Sequence, residues 1–203
     1  MAYIGVKYPV YSPLTAETAG SAPTYGTGAV AGHLIKVDFA PEYSDAKLYA
    51  DNRAVESDNG MTGGKITVGT DHLTDAVAAA LLGLNKISST GTEVLRDDQP
   101  APYVGFGYIF NTVQAGVKGY VARWFYKVQF QQDSDNHETR ADKTQFSTPE
   151  IVGALMAVEP ATGKTGFFCQ QAFTTEADAI AYLKTKAGIT TESGGGGSGS
   201  SGG

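Results

Sequence analysis

The side chains able to do chemistry in this chain are few, and each candidate motif lacks a necessary part. Glu159-Pro160-Ala161-Thr162-Gly163-Lys164-Thr165 ends like a phosphate-binding loop. Such a loop needs a second glycine five positions before Gly163, where Val158 stands, and a helix whose N-terminus faces the phosphate. The residues that follow read as a strand, so Gly163 is read as a hairpin turn. Asp133 and Asp135 match the opening of a calcium loop, but Glu138 occupies the sixth position, where the sharp bend requires glycine. Asp97 and Asp98 are adjacent carboxylates ahead of Gln99-Pro100 and read as solvated charge, not as a separated acid–base pair. Asp71-His72 and Cys169 remain as fragments. His72 is expected on the polar side of a helix, and Cys169 in an apolar strand, where a lone cysteine packs as a small hydrophobe. His33, His72 and His137 are too scattered to predict a local metal motif, and one cysteine excludes an intrachain disulfide and a cysteine-based zinc site. The expectation is a protein that is not an enzyme, with no catalytic, cofactor or metal site.

Composition narrows the classes further. The 203 residues hold 15 Lys+Arg against 21 Asp+Glu, for a net charge of −6. Phosphate contacts need basic side chains, so a dedicated nucleic-acid binder is disfavoured. With 41% hydrophobic and 18% charged residues the chain is globular in composition and long enough for one domain with a substantial core. No apolar run reaches the roughly 18–20 residues of a membrane helix, and the N-terminus lacks a signal-peptide pattern. A soluble domain made inside the cell is expected.

These side chains must be carried by the following elements. Residues 1–30, laced with Pro9, Pro13 and Pro23, read as an N-terminal arm; Tyr3, Tyr8, Tyr11 and Tyr25 imply that it packs on something, such as another subunit. Residues 31–193 read as a mainly β domain. Strands are predicted from the alternation Ile35-Val37-Phe39, ended by Pro41, around residues 48–50, and over 65–68. The stepping of Leu73, Val77, Leu81 and Leu84 predicts an amphipathic helix over 71–84, begun by Thr70 or Asp71 and weakened at Gly83. Strands follow over 103–110 and 120–130. In the first, Val104, Phe106, Tyr108 and Phe110 share one face. In the second, Tyr120, Trp124, Tyr126, Val128 and Phe130 are expected on one face and Arg123, Phe125, Lys127 and Gln129 on the other. Glu138–Ser147 is polar on both faces and needs a solvated edge or another polar surface. Strands are expected over 151–158 and 167–173. A second helix runs from Thr175 to Ala187, boxed by Thr175 and Asp178 and stopped by Gly188, with Ile180, Leu183 and Ala187 as its apolar stripe. Residues 194–203, GGGGSGSSGG, have the composition of a flexible linker. Hairpin-linked strands without βαβ alternation predict a mainly β (α+β) fold, an antiparallel sandwich or barrel with one or two flanking helices.

At this point the chain resembles a known family. The Tyr25-Gly26 entry, Lys47-Leu48-Tyr49-Ala50-Asp51-Asn52, Gly64-Lys65-Ile66-Thr67, Leu81-Leu82-Gly83, Ala101-Pro102-Tyr103-Val104-Gly105-Phe106-Gly107, Arg123-Trp124-Phe125-Tyr126-Lys127-Val128 and Phe146-Ser147-Thr148-Pro149-Glu150-Ile151 follow one another as in the major tail proteins of long-tailed, non-contractile bacteriophages. The match covers roughly residues 24–160. The resemblance implies a tail-tube fold whose six-membered rings stack into the hollow conduit for DNA ejection. It implies self-association, with tape measure, tail terminator and distal tail proteins as further partners, DNA passing without specific binding, and no membrane. The location implied is the virion tail, with assembly in the host cytoplasm. The stretch Pro41–Gly64, with Tyr43, Tyr49, Asp51, Asn52 and Arg53, is expected to contact the next ring. Arg140, Asp142 and Lys143, on the polar strand, are expected to face the lumen or an adjoining ring. The alternative from the residues themselves is a β-sandwich module binding carbohydrate or a host-cell surface, with Trp124 or exposed tyrosines as stacking platforms.

Overall fold

The computed structural model describes residues 2–50, 53–86, 94–95, 100–114, 116–132 and 149–189. In chain order the elements are β1 (Ala2–Ala16), β2 (Thr24–Tyr25), β3 (Ala29–Val30), β4 (Leu34–Tyr43), β5 (Ala46–Ala50), β6 (Arg53–Asp58), β7 (Met61–Thr70), α1 (Asp75–Leu82), β8 (Asn85–Lys86), β9 (Val94–Leu95), β10 (Tyr103–Gln114), β11 (Val117–Gln132), β12 (Glu150–Leu155), β13 (Val158–Ala161), β14 (Lys164–Gly166), β15 (Phe168–Phe173) and α2 (Glu176–Ala187). The fold is mainly antiparallel β with two helices, as the alternation predicts. Nine strands make one sheet in the order β2-β1-β10-β11-β12-β7-β4, with β15 added to β11 and β3 to β1. The pairs β5–β6, β8–β9 and β13–β14 stand as separate two-stranded sheets.

The segment read as an arm finds its packing partner in its own chain. β1 lies inside the sheet, paired with β10 from Ala2↔Val113 to Pro13↔Val104. Two bulges break this register, between Tyr3 and Val6 and between Lys7 and Val10, and each contains a residue with positive φ, Gly5 (71°) and Tyr8 (57°). An extra residue in one strand bends it. Pro9 lies in the second bulge, which is how a proline fits inside this strand.

β10 and β11 form the central hairpin, turned at Gly116 with φ 81°. The alternation on β10 holds: Val104, Phe106, Tyr108 and Phe110 enter one core, while Ile109 enters another on the opposite face. On β11 the expected unbroken rhythm is wrong. Trp124 belongs to the core beneath α2, whereas Val128 and Phe130 belong with Val121 and Phe125 on the other face. The cause is a bulge: Phe106 faces Phe125 and Val104 faces Val128, so three steps on β11 match two on β10. The flip occurs where β11 changes neighbour, from β15 at residues 120–125 to β12 at 128–132.

The larger core lines one face of the sheet and takes in Val77, Ala78, Leu81 and Leu82 of α1. α1 is shorter than predicted. Thr74, not Thr70 or Asp71, caps it by accepting from the Val77 N–H, and Gly83 ends it in the left-handed conformation. β4 is longer than predicted and runs through Pro41. The smaller core holds Val10, Ile109, Ala122 and Trp124 under Ala179, Leu183 and Ala187 of α2. The Thr175 hydroxyl accepts from the Asp178 N–H at 3.2 Å and donates to its carboxylate at 2.6 Å, and Gly188 closes the helix with φ 64°. Losing this cap in Thr175→Ala is expected to cost about 1 kcal/mol, read as a lower urea midpoint with an unchanged slope.

Candidate functional site

The strand order leaves two ends, and they come close to each other. Among the described residues β4 pairs only with β7, and residues 2–7 of β1 pair only with β10. Tyr3, Gly5 and Val6 of β1 and Ile35, Val37 and Phe39 of β4 line one cavity of about 450 Å³. The sheet is thus curled toward a barrel that stays open along this seam.

The direction of the free backbone groups follows from Pro41. The β4–β7 register is unbroken from Lys36↔Gly69 to Glu42↔Gly63, with Pro41 opposite Gly64. Proline has no N–H and occupies an outward ladder position. Val37 and Phe39, four and two residues earlier, therefore also turn their N–H and C=O away from β7. On β7 the Thr70 N–H, in step with Ile66 and Val68, donates to the Pro149 carbonyl on the far side at 3.2 Å, which agrees with this phase. Pro41 blunts one end of the edge. Lys36 is drawn back toward the sheet, 3.1 Å from Glu150 and 3.4 Å from Asp38. These hydrogen bonds and charges, Glu150 foremost, raise its pKa. What the other end of the seam offers is apolar: Tyr3 is 72% exposed and Ile35 53%.

Arg123 lies at the floor of the seam. Its Nε and Nη2 donate to Gln170 Oε1 at 3.2 and 2.9 Å, and Nη1 reaches Tyr108 Oη at 3.5 Å. The guanidinium lies over the rings of Phe168, Phe110 and Phe39 at 4.9, 5.2 and 5.6 Å. Aromatic faces and an amide carbonyl hold the cation, and no carboxylate forms an ion pair with it among the described residues. Burial raises the Tyr108 phenol pKa, with the Arg123 charge and hydrogen bond opposing it.

Other expected positions fall as follows. Pro41–Gly64 is not one loop: it contains the end of β4, the β5–β6 hairpin and the start of β7. Tyr43 ends β4 opposite Met61 and is exposed. Tyr49 lies on β5 opposite Ala54, and Arg53 opens β6 opposite Ala50. Asp51, Asn52, Arg140, Asp142 and Lys143 lie outside the described residues, as do the expected polar strand Glu138–Ser147, Asp97-Asp98, Asp133, Asp135 and the glycine-rich tail. Trp124 is fully buried and is not a stacking platform. Gly163 is the turn between β13 and β14, with its N–H donated to Glu159 at 2.6 Å. Cys169 is half-buried, its sulfur 3.4 Å from the Tyr182 hydroxyl.

No protein-family model matches this chain, and no curated protein aligns with it.

The histidines read as scattered are not all apart. His33 and His72 both meet Asp71, at 3.1 and 3.0 Å, on the exposed end of the β4–β7 ladder. His72 precedes α1 and does not lie on it. Residues 33 and 71 are joined only by strand pairing, which residue spacing does not reveal. No helix among the described residues is long and apolar enough to cross a membrane.

Proposed function

We propose that this chain is a self-assembling structural protein whose open seam is completed by other copies of itself. The product is a ring, and stacked rings form a tube of the kind that the resemblance to phage tail-tube subunits implies. The observation that carries the reading is the seam. Among the described residues it has two strand edges without a partner on one curled sheet, with outward backbone groups at Val37 and Phe39 beside the exposed Tyr3 and Ile35. An unpaired edge is a template for another strand, and ring closure removes it. Apolar contact then adds to backbone pairing, since Tyr3 and Ile35 lose water where two copies meet. As a conduit wall the acidic chain also avoids holding DNA, because phosphate contacts are what bind it.

The β5–β6 hairpin supports contact between rings. It is a two-stranded sheet of its own, inserted where Tyr43 already faces Met61 and the Ser44 N–H donates to the Gly60 carbonyl at 2.8 Å. Replacing residues 45–59 by a two-residue turn is expected to leave the melting temperature within about 3 °C of the parent and to stop growth beyond single rings. Light scattering on a concentration series checks both levels. The intact chain is expected to gain mass with concentration in multiples of 21.2 kDa. Tubes from the shortened chain would remove the hairpin from the contact, and a monomer from the intact chain at every concentration would remove the proposal.

A further inference from the structure

We propose that His33, Asp71 and His72 form a divalent transition-metal site. The end of the β4–β7 ladder builds it. Leu34 pairs with Thr70, so the residues just outside this pair, 38 apart in sequence, are brought face to face. The Asp71 N–H donates to the His33 carbonyl at 3.1 Å, closing the ladder by one further bond.

Asp71 is oriented before any ion arrives. Its Oδ1 accepts two backbone N–H groups, from His33 at 3.1 Å and His72 at 2.9 Å. That leaves Oδ2 aimed between the two imidazoles, 3.1 Å from His33 Nδ1 and 3.0 Å from His72 Nδ1. Gly32 contributes to the setting: its φ of 93° lies in the left-handed region, and a Cβ there would meet Asp71 Oδ1 and the His72 carbonyl at 3.4 Å.

The donor geometry suits a small tetrahedral ion. One ligand atom from each side chain lies within 4.8 Å of the other two. With zinc–ligand bonds of about 2.0–2.1 Å, neighbouring donors in a tetrahedral site stand about 3.3 Å apart. Both carboxylate–imidazole separations are already near that value, and rotation of the exposed imidazoles closes the third. Two imidazoles and one carboxylate favour Zn²⁺, Ni²⁺ or Co²⁺ over Ca²⁺ and Mg²⁺, which take oxygen-rich shells. Three protein ligands leave a fourth position for water or for a donor from another molecule. A bound ion would clip β4 to β7 beside the cap of α1.

The test is Zn²⁺ titration of tag-free protein by calorimetry, repeated with Mg²⁺. One Zn²⁺ per chain is expected, weakened about tenfold or more in each of His33→Ala, His72→Ala and Asp71→Asn and unchanged in His137→Ala. Because His33 and His72 are exposed, their variants are expected to melt as the metal-free parent does. Saturating Zn²⁺ is expected to raise the parent's melting temperature by about 5 °C and leave both histidine variants unmoved. The site is disproved if the parent shows no saturable Zn²⁺ binding up to millimolar ion. It is equally disproved if His33→Ala and His72→Ala keep the parent's affinity, or if Mg²⁺ binds as tightly as Zn²⁺.

Discussion

Trp124→Ala is expected to lower folding stability by about 3–5 kcal/mol, since it removes the largest fully buried side chain among the described residues. The indole is fully buried between the central hairpin and α2. It lies against two glycines of β10: a Cβ on Gly107 would meet the indole Cε3 at 2.7 Å, and one on Gly105 would overlap Trp124 Cζ2. The Tyr25 ring meets it edge-on, 5.3 Å between centroids and 87° between planes. The indole N–H donates to the Tyr25 hydroxyl at 3.3 Å, which donates in turn to the Tyr126 carbonyl at 2.7 Å. Truncation opens a cavity that two strands and a helix cannot collapse into, and it takes one of the ring contacts from Tyr25. The converse change, Gly105→Ala, pushes a methyl into the indole and is expected to cost about 1–3 kcal/mol or more. Urea unfolding followed by circular dichroism checks both. A loss below about 1 kcal/mol for Trp124→Ala would mean that α2 is not held by this residue.

The paired substitution Tyr3→Lys/Ile35→Lys is expected to abolish assembly while leaving the fold intact. Both side chains are mostly exposed, so the isolated subunit loses little burial. Each lies on an edge without a strand partner among the described residues and borders the same cavity, so a second strand arriving there meets two ammonium groups in place of apolar surface. Lysine on an edge strand is a common guard against this pairing. Sedimentation velocity is expected to show a single slow species at concentrations where the parent is fully assembled, with melting temperatures within about 3 °C of each other. Assembly equal to the parent's would place the contact away from the seam.

Local pattern made much of this architecture legible. Alternation on β10 gives its two faces correctly, because β11 keeps one register with it over residues 106–114 and both bulges toward β1 put the extra residue in β1. Thr175, Asp178 and Gly188 mark α2, because capping is chemistry between residues close in sequence. Pattern fails where a distant partner decides. The face change near Tyr126 and Lys127 comes from the bulge at the exchange of β15 for β12, and nothing in the residues themselves marks that exchange. Pro9 and Pro13 read as breakers, yet β1 carries them, because its bulges and its partly open edge need fewer donors. Pro41 reads as a strand end for the same reason and instead reports which way β4's free groups point. The seam, the aromatic setting of Arg123 and the meeting of His33 with His72 all depend on strand order. Spacing along the chain carries no signal for them.

The most direct measurement is negative-stain electron microscopy of the purified, tag-free chain over a rising concentration series, side by side with the Tyr3→Lys/Ile35→Lys variant. Rings or tubes with a central channel are expected from the parent, and only single particles from the variant. Single particles from the parent at the highest concentration attainable would contradict self-completion of the sheet edges, and with it the structural role.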